Sequence, residues 1–174
     1  LLILGYGRTG RRLAKMAAAF DMNVHAFDPY VEIDQFCNVP VKKIDNLKDA
    51  IADADCISVN MPKRESPLIA KKEFDCMKTG VVIVNTARGG IIKEDDLMEA
   101  LRNGKVGAAG LDVFDHEPPL SDNRFVALDQ VVLLPHVAGL SKESAEAMAV
   151  SSIQNVINFF DGNLDMSLVV NQKI

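Results

Sequence analysis

The chain opens Leu1-Leu2-Ile3-Leu4-Gly5-Tyr6-Gly7-Arg8-Thr9-Gly10, and this stretch decides the fold. Four apolar residues read as a buried strand, the glycines as a G-x-G-x-x-G turn, and Leu13, Met16, Ala17 and Phe20 as helical spacing after it. In a strand-turn-helix of this kind Gly5 permits the bend, Gly7 lets the backbone approach a pyrophosphate, and Gly10 lets the helix pack closely on the strand. The helix N-terminus then faces the anion. The next apolar run, Val24-His25-Ala26-Phe27, ends in Asp28, eighteen residues beyond Gly10. That is near the ~20 residues expected before an acid that holds the adenosine ribose hydroxyls. Taken alone, the glycines could be an ordinary turn and Asp28 a solvated acid; strand, helix and acid together point to a dinucleotide. A carboxylate repels a 2′-phosphate, and Pro29-Tyr30 rather than an arginine follows Asp28, so the expected cofactor is NAD rather than NADP.

Outward from that motif, strand and helix patterns alternate. Val39 to Ile44 reads as irregular, Asn46 to Ala54 as a helix that opens on a capping residue, and Cys56 to Val59 as a buried strand. Leu68 to Met77 suggests one or two helical turns, Val81 to Val84 a strand entered through Gly80, and Lys93 to Asn103 a helix with Leu97, Ala100 and Leu101 inward. Ala108 to Val113 and Val131 to Leu134 complete the strands. This order predicts an α/β fold, a doubly wound parallel sheet of Rossmann type with helices on both faces. Ligands of such sheets bind beyond the carboxyl ends of the strands, where Asp28, Asn60, Arg88, Asp112 and His136 fall. Ser141 to Phe160 is the longest helix candidate. Its apolar residues cover much of its circumference, which calls for partners on more than one side. Residues 1–140 are expected to form the dinucleotide-binding and catalytic domain, and 141–174 a long inter-domain helix and tail.

Composition narrows the function. The 174 residues are 48% hydrophobic with a formal net charge of −5, enough for one well-packed domain. The acidic balance and the lack of a basic cluster argue against nucleic acid as a partner. The longest uncharged stretch, Ala147 to Phe160, falls short of the ~20 residues of a membrane span, so no membrane partner is expected. Cys37, Cys56 and Cys76 are odd in number and lack metal-ligand spacing, and no signal peptide is visible. Reduced thiols, a cytoplasmic setting and no metal follow. The chain begins without Met and directly at the cofactor strand, so the residues that would precede that strand are expected to be missing.

Three polar residues suggest chemistry. Arg88 lies in Asn85-Thr86-Ala87-Arg88-Gly89-Gly90, where an apolar strand runs into a planar cation suited to bidentate grip of a carboxylate. Glu117 lies in Asp115-His116-Glu117-Pro118-Pro119, and His136 in Leu134-Pro135-His136-Val137-Ala138-Gly139. Folded together, a carboxylate and an imidazole make an acid/base pair able to deliver a proton to a carbonyl oxygen during reduction. Spacing alone does not exclude Asp115 or His116 as the functional members, and a lone histidine after a strand is as often structural.

At these residues the chain resembles the D-isomer-specific 2-hydroxyacid dehydrogenases, from Leu1 to about Asn171. The shared wording is Gly5-Tyr6-Gly7-Arg8-Thr9-Gly10 with Asp28-Pro29-Tyr30, the block from Asn85 to Gly90, Gly110 to Phe114, His116 to Pro119, and Pro135 to Gly139. The resemblance implies that Arg88 binds the substrate carboxylate and carbonyl, that Glu117 orients and charges His136, and that His136 is the acid/base. It also implies that Arg8 and Thr9 contact the pyrophosphate, and that Asp112, otherwise a loop acid, and the backbone of Ala87 and Arg88 hold the nicotinamide end. Pro62, His136 and Gly139 complete the expected cofactor contacts. The substrate would be a 2-hydroxy or 2-keto acid, with wording closest to phosphoglycerate dehydrogenases and with hydroxypyruvate or glyoxylate as other candidates.

Family members usually pair their cofactor domains, so a homodimer is expected. They build a second, substrate domain from residues before the cofactor strand and from the extreme C-terminus, and here it would be largely missing. The segment Asn60-Met61-Pro62-Lys63-Arg64-Glu65-Ser66-Pro67 departs from the pattern, since many members have His at position 60 and a longer loop containing Leu-Thr. Two other readings are an NAD-sensing interaction protein, like the corepressors that share the trio, and a cofactor-binding module without turnover.

Overall fold

The computed structural model describes residues 1–31, 40–119 and 123–169; Cys37 and the Val170-Asn171 tail lie outside them. The chain divides into two compact units, Leu1–His136 and Val137–Ile174.

The first unit is built on a seven-stranded, all-parallel sheet in the order β3-β2-β1-β4-β5-β6-β7. Its strands are β1 (Leu2–Leu4), β2 (Val24–Phe27), β3 (Val41–Lys43), β4 (Cys56–Val59), β5 (Val81–Asn85), β6 (Val106–Leu111) and β7 (Val131–Leu133). The helices between them are α1 (Arg8–Ala19), α2 (Leu47–Asp53), α3 (Lys71–Cys76) and α4 (Glu94–Arg102). β1 is central and buried on both sides, which is why its sequence is apolar without alternation. Leu2 stands level with His25 on one side and Ile57 on the other. Leu2, Leu4, Ile57, Val59, Ile83 and Leu111 pack with Ile51, Phe74, Leu97 and Leu101 of α2, α3 and α4 into the main core. On the other face Ile3, Val24 and Ala26 pack with Ala14 and Ala17 of α1.

Three expectations change in detail. α1 buries a narrow stripe of small residues, Gly10, Ala14 and Ala17, while Met16 and Phe20 are exposed. Close approach at Gly10 selects small neighbours, so the large apolar residues turn outward. The stretch read as irregular contains β3, an edge strand two-thirds lysine; an edge tolerates charge that a central strand would not. β6 begins at Val106, two residues before the expected start, because Gly107 slides under Gly80: a Cβ there would sit 2.8 Å from the Gly80 carbonyl oxygen.

Coverage of the two faces is unequal. Within the described residues of the first unit, α1 covers β1 and β2, while Val84 of β5 and Val132 of β7 on the same sheet remain exposed.

The second unit contains α5 (Lys142–Phe160). Its N-terminus is closed reciprocally: Ser144 N–H donates to Ser141 Oγ (3.1 Å) and Ser141 N–H to Ser144 Oγ (2.8 Å). α5 buries none of its own side chains, and Met148, Val150, Ile153, Val156, Ile157 and Phe160 are all exposed. Gly162, at φ +71°, ends it. Among the described residues no helix is long and apolar enough to cross a membrane.

Candidate active site

The parallel ladder carries on past the strand ends, and this continuation sets the site. Gly5 N–H donates to Phe27 O (2.9 Å), Asn60 N–H to Leu4 O (2.7 Å), Asp112 N–H to Asn85 O (3.0 Å) and His136 N–H to Asp112 O (2.9 Å). The residues singled out from sequence in the first unit therefore share one rim.

At the β1 end the three glycines do different things. Gly5 has φ +95°, and a Cβ on it would lie 2.6 Å from the Asn60 carbonyl oxygen. A Cβ on Gly10 would lie 2.2 Å from the Gly5 carbonyl oxygen. Gly7, the N-cap of α1, has nothing within 4 Å of that position and no side chain capping the helix. The first turn of α1 thus carries no side-chain cap, and Gly7, Arg8 and Thr9 at its start are exposed. Asp28 Oδ2 accepts from Tyr6 N–H (2.7 Å) and Oδ1 from Tyr30 N–H (2.9 Å), which fixes the carboxylate at the end of β2. A cavity of about 460 Å³ is lined by Gly5, Gly7, Asp28, Tyr30 and the loop Asn60 to Ser66, including Pro62. An uncapped helix start, a bare glycine and a held carboxylate at one cavity fit a dinucleotide.

At the β5 end Asn85, buried, braces the turn that carries Arg88. Its Oδ1 accepts from Ala87 N–H (3.1 Å) and its Nδ2 donates to Arg88 O (3.0 Å). Arg88 is exposed, and its guanidinium donates to Ala87 O (2.6 Å). A Cβ on Gly89 would lie 1.9 Å from the Phe114 carbonyl oxygen, so this turn sits directly against the chain leaving β6.

Glu117 joins the β6 and β7 ends. Its Oε1 accepts from Phe114 N–H (3.0 Å), and its Oε2 lies 2.7 Å from His136 Nδ1. The hydrogen bond with His136 holds the Glu117 carboxyl below its ordinary range, helped by the Phe114 N–H and by the charge of Arg88. His136 adopts φ +55°, a left-handed backbone unusual for a side chain of its size. With Nδ1 committed to Glu117, Nε2 is the nitrogen left for a reactant. Asp112 is buried beneath, at 2% exposure.

Glu117, not Asp115, is thus the partner of His136. Asp115 N–H donates instead to Glu94 Oε1 (2.7 Å), and His116 lines a separate cavity with Glu94, Phe114 and Arg124. Burial pushes the Glu94 carboxyl up. Gly139 belongs to the second unit, where its carbonyl accepts from Ser144 Oγ (2.7 Å). Asn85 and Glu94 are supports that the sequence reading missed. Their signals were a polar residue ending an apolar strand and an acid opening a helix.

The family model described as D-isomer specific 2-hydroxyacid dehydrogenase, NAD binding domain, matches residues 1–138. D-3-phosphoglycerate dehydrogenase of Archaeoglobus fulgidus is 40% identical over 162 residues, covering 92% of this chain and 31% of that protein. Hydroxypyruvate reductase of Thermotoga maritima is 38% identical over 158 residues, covering 88% of this chain and 50% of that one. The structure of D-lactate dehydrogenase from Escherichia coli superposes with a TM-score of 0.81 at 32% identity, covering 92% of this chain and 51% of that one. The chain therefore spans a third to a half of the length of these relatives. It belongs to the D-isomer specific 2-hydroxyacid dehydrogenase family, of which it carries the NAD-binding domain.

Proposed function

We propose that the protein to which this domain belongs interconverts a D-2-hydroxy acid and its 2-keto acid, with NAD as cofactor. The observation that carries the reading is the His136 Nδ1 to Glu117 Oε2 contact of 2.7 Å on the rim that also holds the dinucleotide cradle. NAD, when bound, supplies or takes up the hydride. Gly7, Arg8 and Thr9 serve its phosphates on the turn that Gly5 and Gly10 allow, Asp28 its ribose, and Pro62 the cavity wall. Asp112 and the backbone of Ala87 and Arg88 serve its nicotinamide end, while the role of Gly139 rests on the family resemblance alone. The Arg88 fork grips the substrate carboxylate. Glu117 keeps a proton on Nδ1, and Nε2 of His136 gives a proton to the carbonyl oxygen in reduction and takes one from the hydroxyl in oxidation. Candidate substrates are 3-phosphoglycerate, hydroxypyruvate and glyoxylate. A homodimer belongs to the same reading on the family resemblance, and a cytoplasmic setting on the odd number and spacing of Cys37, Cys56 and Cys76 in the sequence.

The test is NADH fluorescence with the purified chain and its His136→Ala variant, followed by addition of hydroxypyruvate. Both should bind NADH, and any oxidation should fall about 10²–10⁴-fold in the variant. Binding without oxidation by the wild-type chain would assign turnover to the whole protein. An NAD-dependent capture of peptide-bearing partners without turnover by the whole protein would favour the sensing role instead. No NADH binding would overturn the proposal.

A further inference from the structure

We infer that Lys63 and Arg64, in the loop after β4, form a cationic wall that holds the cofactor pyrophosphate against the Gly7 end of α1. The inference rests on the NAD reading above and adds two residues to it.

The strand order supplies the first argument. Asp28 stands at the end of β2, and the Ala87-Arg88 turn at the end of β5. Between them, in order, lie β1 and β4. A ligand with its adenosine at Asp28 and its nicotinamide at Ala87 therefore has its centre over the ends of β1 and β4. The chemical centre of NAD is its doubly charged pyrophosphate. The β1 end offers Gly7 and the N–H groups of α1, and the β4 end offers the loop from Asn60 to Ser66.

The cavity supplies the second. Lys63 and Arg64 line the same 460 Å³ space as Gly5, Gly7 and Asp28. Asp28 is engaged by two backbone N–H groups, and among the described residues no carboxylate lies within ion-pair distance of Lys63 or Arg64. With Asp28 and Glu65 the lining as a whole is charge-balanced, but Asp28 stands at the end of β2, so the loop side alone sets two cations, Lys63 and Arg64, beside one anion, Glu65. The Lys63 stem reaches toward the turn after β5: its Cε lies 3.9 Å from where a Cβ on Gly90 would be, a point equally close to Asp115 Oδ1. Lys63 itself lines the cavity, and its flexible ammonium arm can turn from that point back across the cavity.

The experiment compares wild type, the Lys63→Met/Arg64→Met double variant and the charge-keeping Lys63→Arg/Arg64→Lys variant. Dissociation constants are measured for NADH, ADP-ribose and adenosine, with circular dichroism as a check on folding. The double variant should weaken NADH and ADP-ribose by a common factor on the order of tenfold, leave adenosine unchanged, and lose its deficit as salt is raised. The charge-keeping variant should bind like wild type. Equal affinity for ADP-ribose in wild type and double variant, or an equal loss for adenosine, overturns the inference while leaving the NAD reading intact. A wild-type chain that binds neither NADH nor ADP-ribose overturns the NAD reading, and this inference with it.

Discussion

Replacing Gly10 by alanine sets two effects of opposite sign against each other. Gly10 is the third residue of α1, and exchanging glycine for alanine in an exposed helix gains up to about 1 kcal/mol. Here the added Cβ would stand 2.2 Å from the Gly5 carbonyl oxygen and 3.2 Å from Ile3 Cγ2. The first is backbone and cannot rotate aside, because Gly5 is tied through its N–H to Phe27 O. Overpacking costs typically about 1–3 kcal/mol, and a clash of this depth belongs at the upper end. The steric term wins, and Gly10→Ala should destabilise the fold by roughly 1–2 kcal/mol. With a denaturant slope of about 2 kcal/mol/M, the urea midpoint followed by circular dichroism should fall by roughly 0.5–1 M. Gly7→Ala is the control: nothing lies within 4 Å, so the midpoint should move little while NADH binding weakens. A Gly10→Ala midpoint equal to or above wild type would refute the close-contact account of this glycine.

Three further outcomes follow from the site. Asn85→Leu removes both hydrogen bonds that brace the Arg88 turn; it should cost about 1–3 kcal/mol in urea unfolding and weaken NADH binding, and unchanged NADH affinity would count against the bracing role. The Glu117 carboxyl titrates lower folded than unfolded, so its stabilisation is present above about pH 4.5 and lost as pH falls through the depressed value. Wild type should exceed Glu117→Gln modestly in urea midpoint at neutral pH and match it in acid, and a gap that widened in acid would contradict this sign. Asp28→Asn should raise the affinity for NADPH relative to NADH by about tenfold, measured as the two dissociation constants, since the repelling charge is gone while one carbonyl acceptor remains.

Much of this architecture could be read from residues alone because its signals are local. The apolar run of Leu1 to Leu4, the three glycines and Asp28 each act within one strand-turn-helix, so spacing carries their meaning. Asn46 and Ser141 cap α2 and α5 as their residue types suggest. The rest depends on tertiary placement. β3 escaped because a three-residue edge strand with two lysines has no apolar alternation to detect. Met16 and Phe20 were misleading because the depth of the contact at Gly10, and not hydrophobicity, decides which stripe of α1 faces inward. The choice of Glu117 over Asp115 could not come from spacing: it turns on which carboxylate reaches His136 once the Phe114 N–H has been claimed. Asn85 and Glu94 hold backbone groups of turns that exist only in the folded chain.

The hydrogen bonds from Asp112 to Asn85 and from His136 to Asp112 make the β5, β6 and β7 ends into a staircase with fixed steps. Asn85 braces the turn under Arg88; in the proposed reaction Asp112 lies at the nicotinamide and His136 gives the proton. Their relative heights are therefore indexed by one backbone ladder instead of three separate loops. If the proposed reaction holds, a substitution that loosens β7 shifts the proton donor against the hydride position and should disturb both transfers. Kinetic isotope effects on the two steps would change in concert, even for a change as distant from the reactants as Val132.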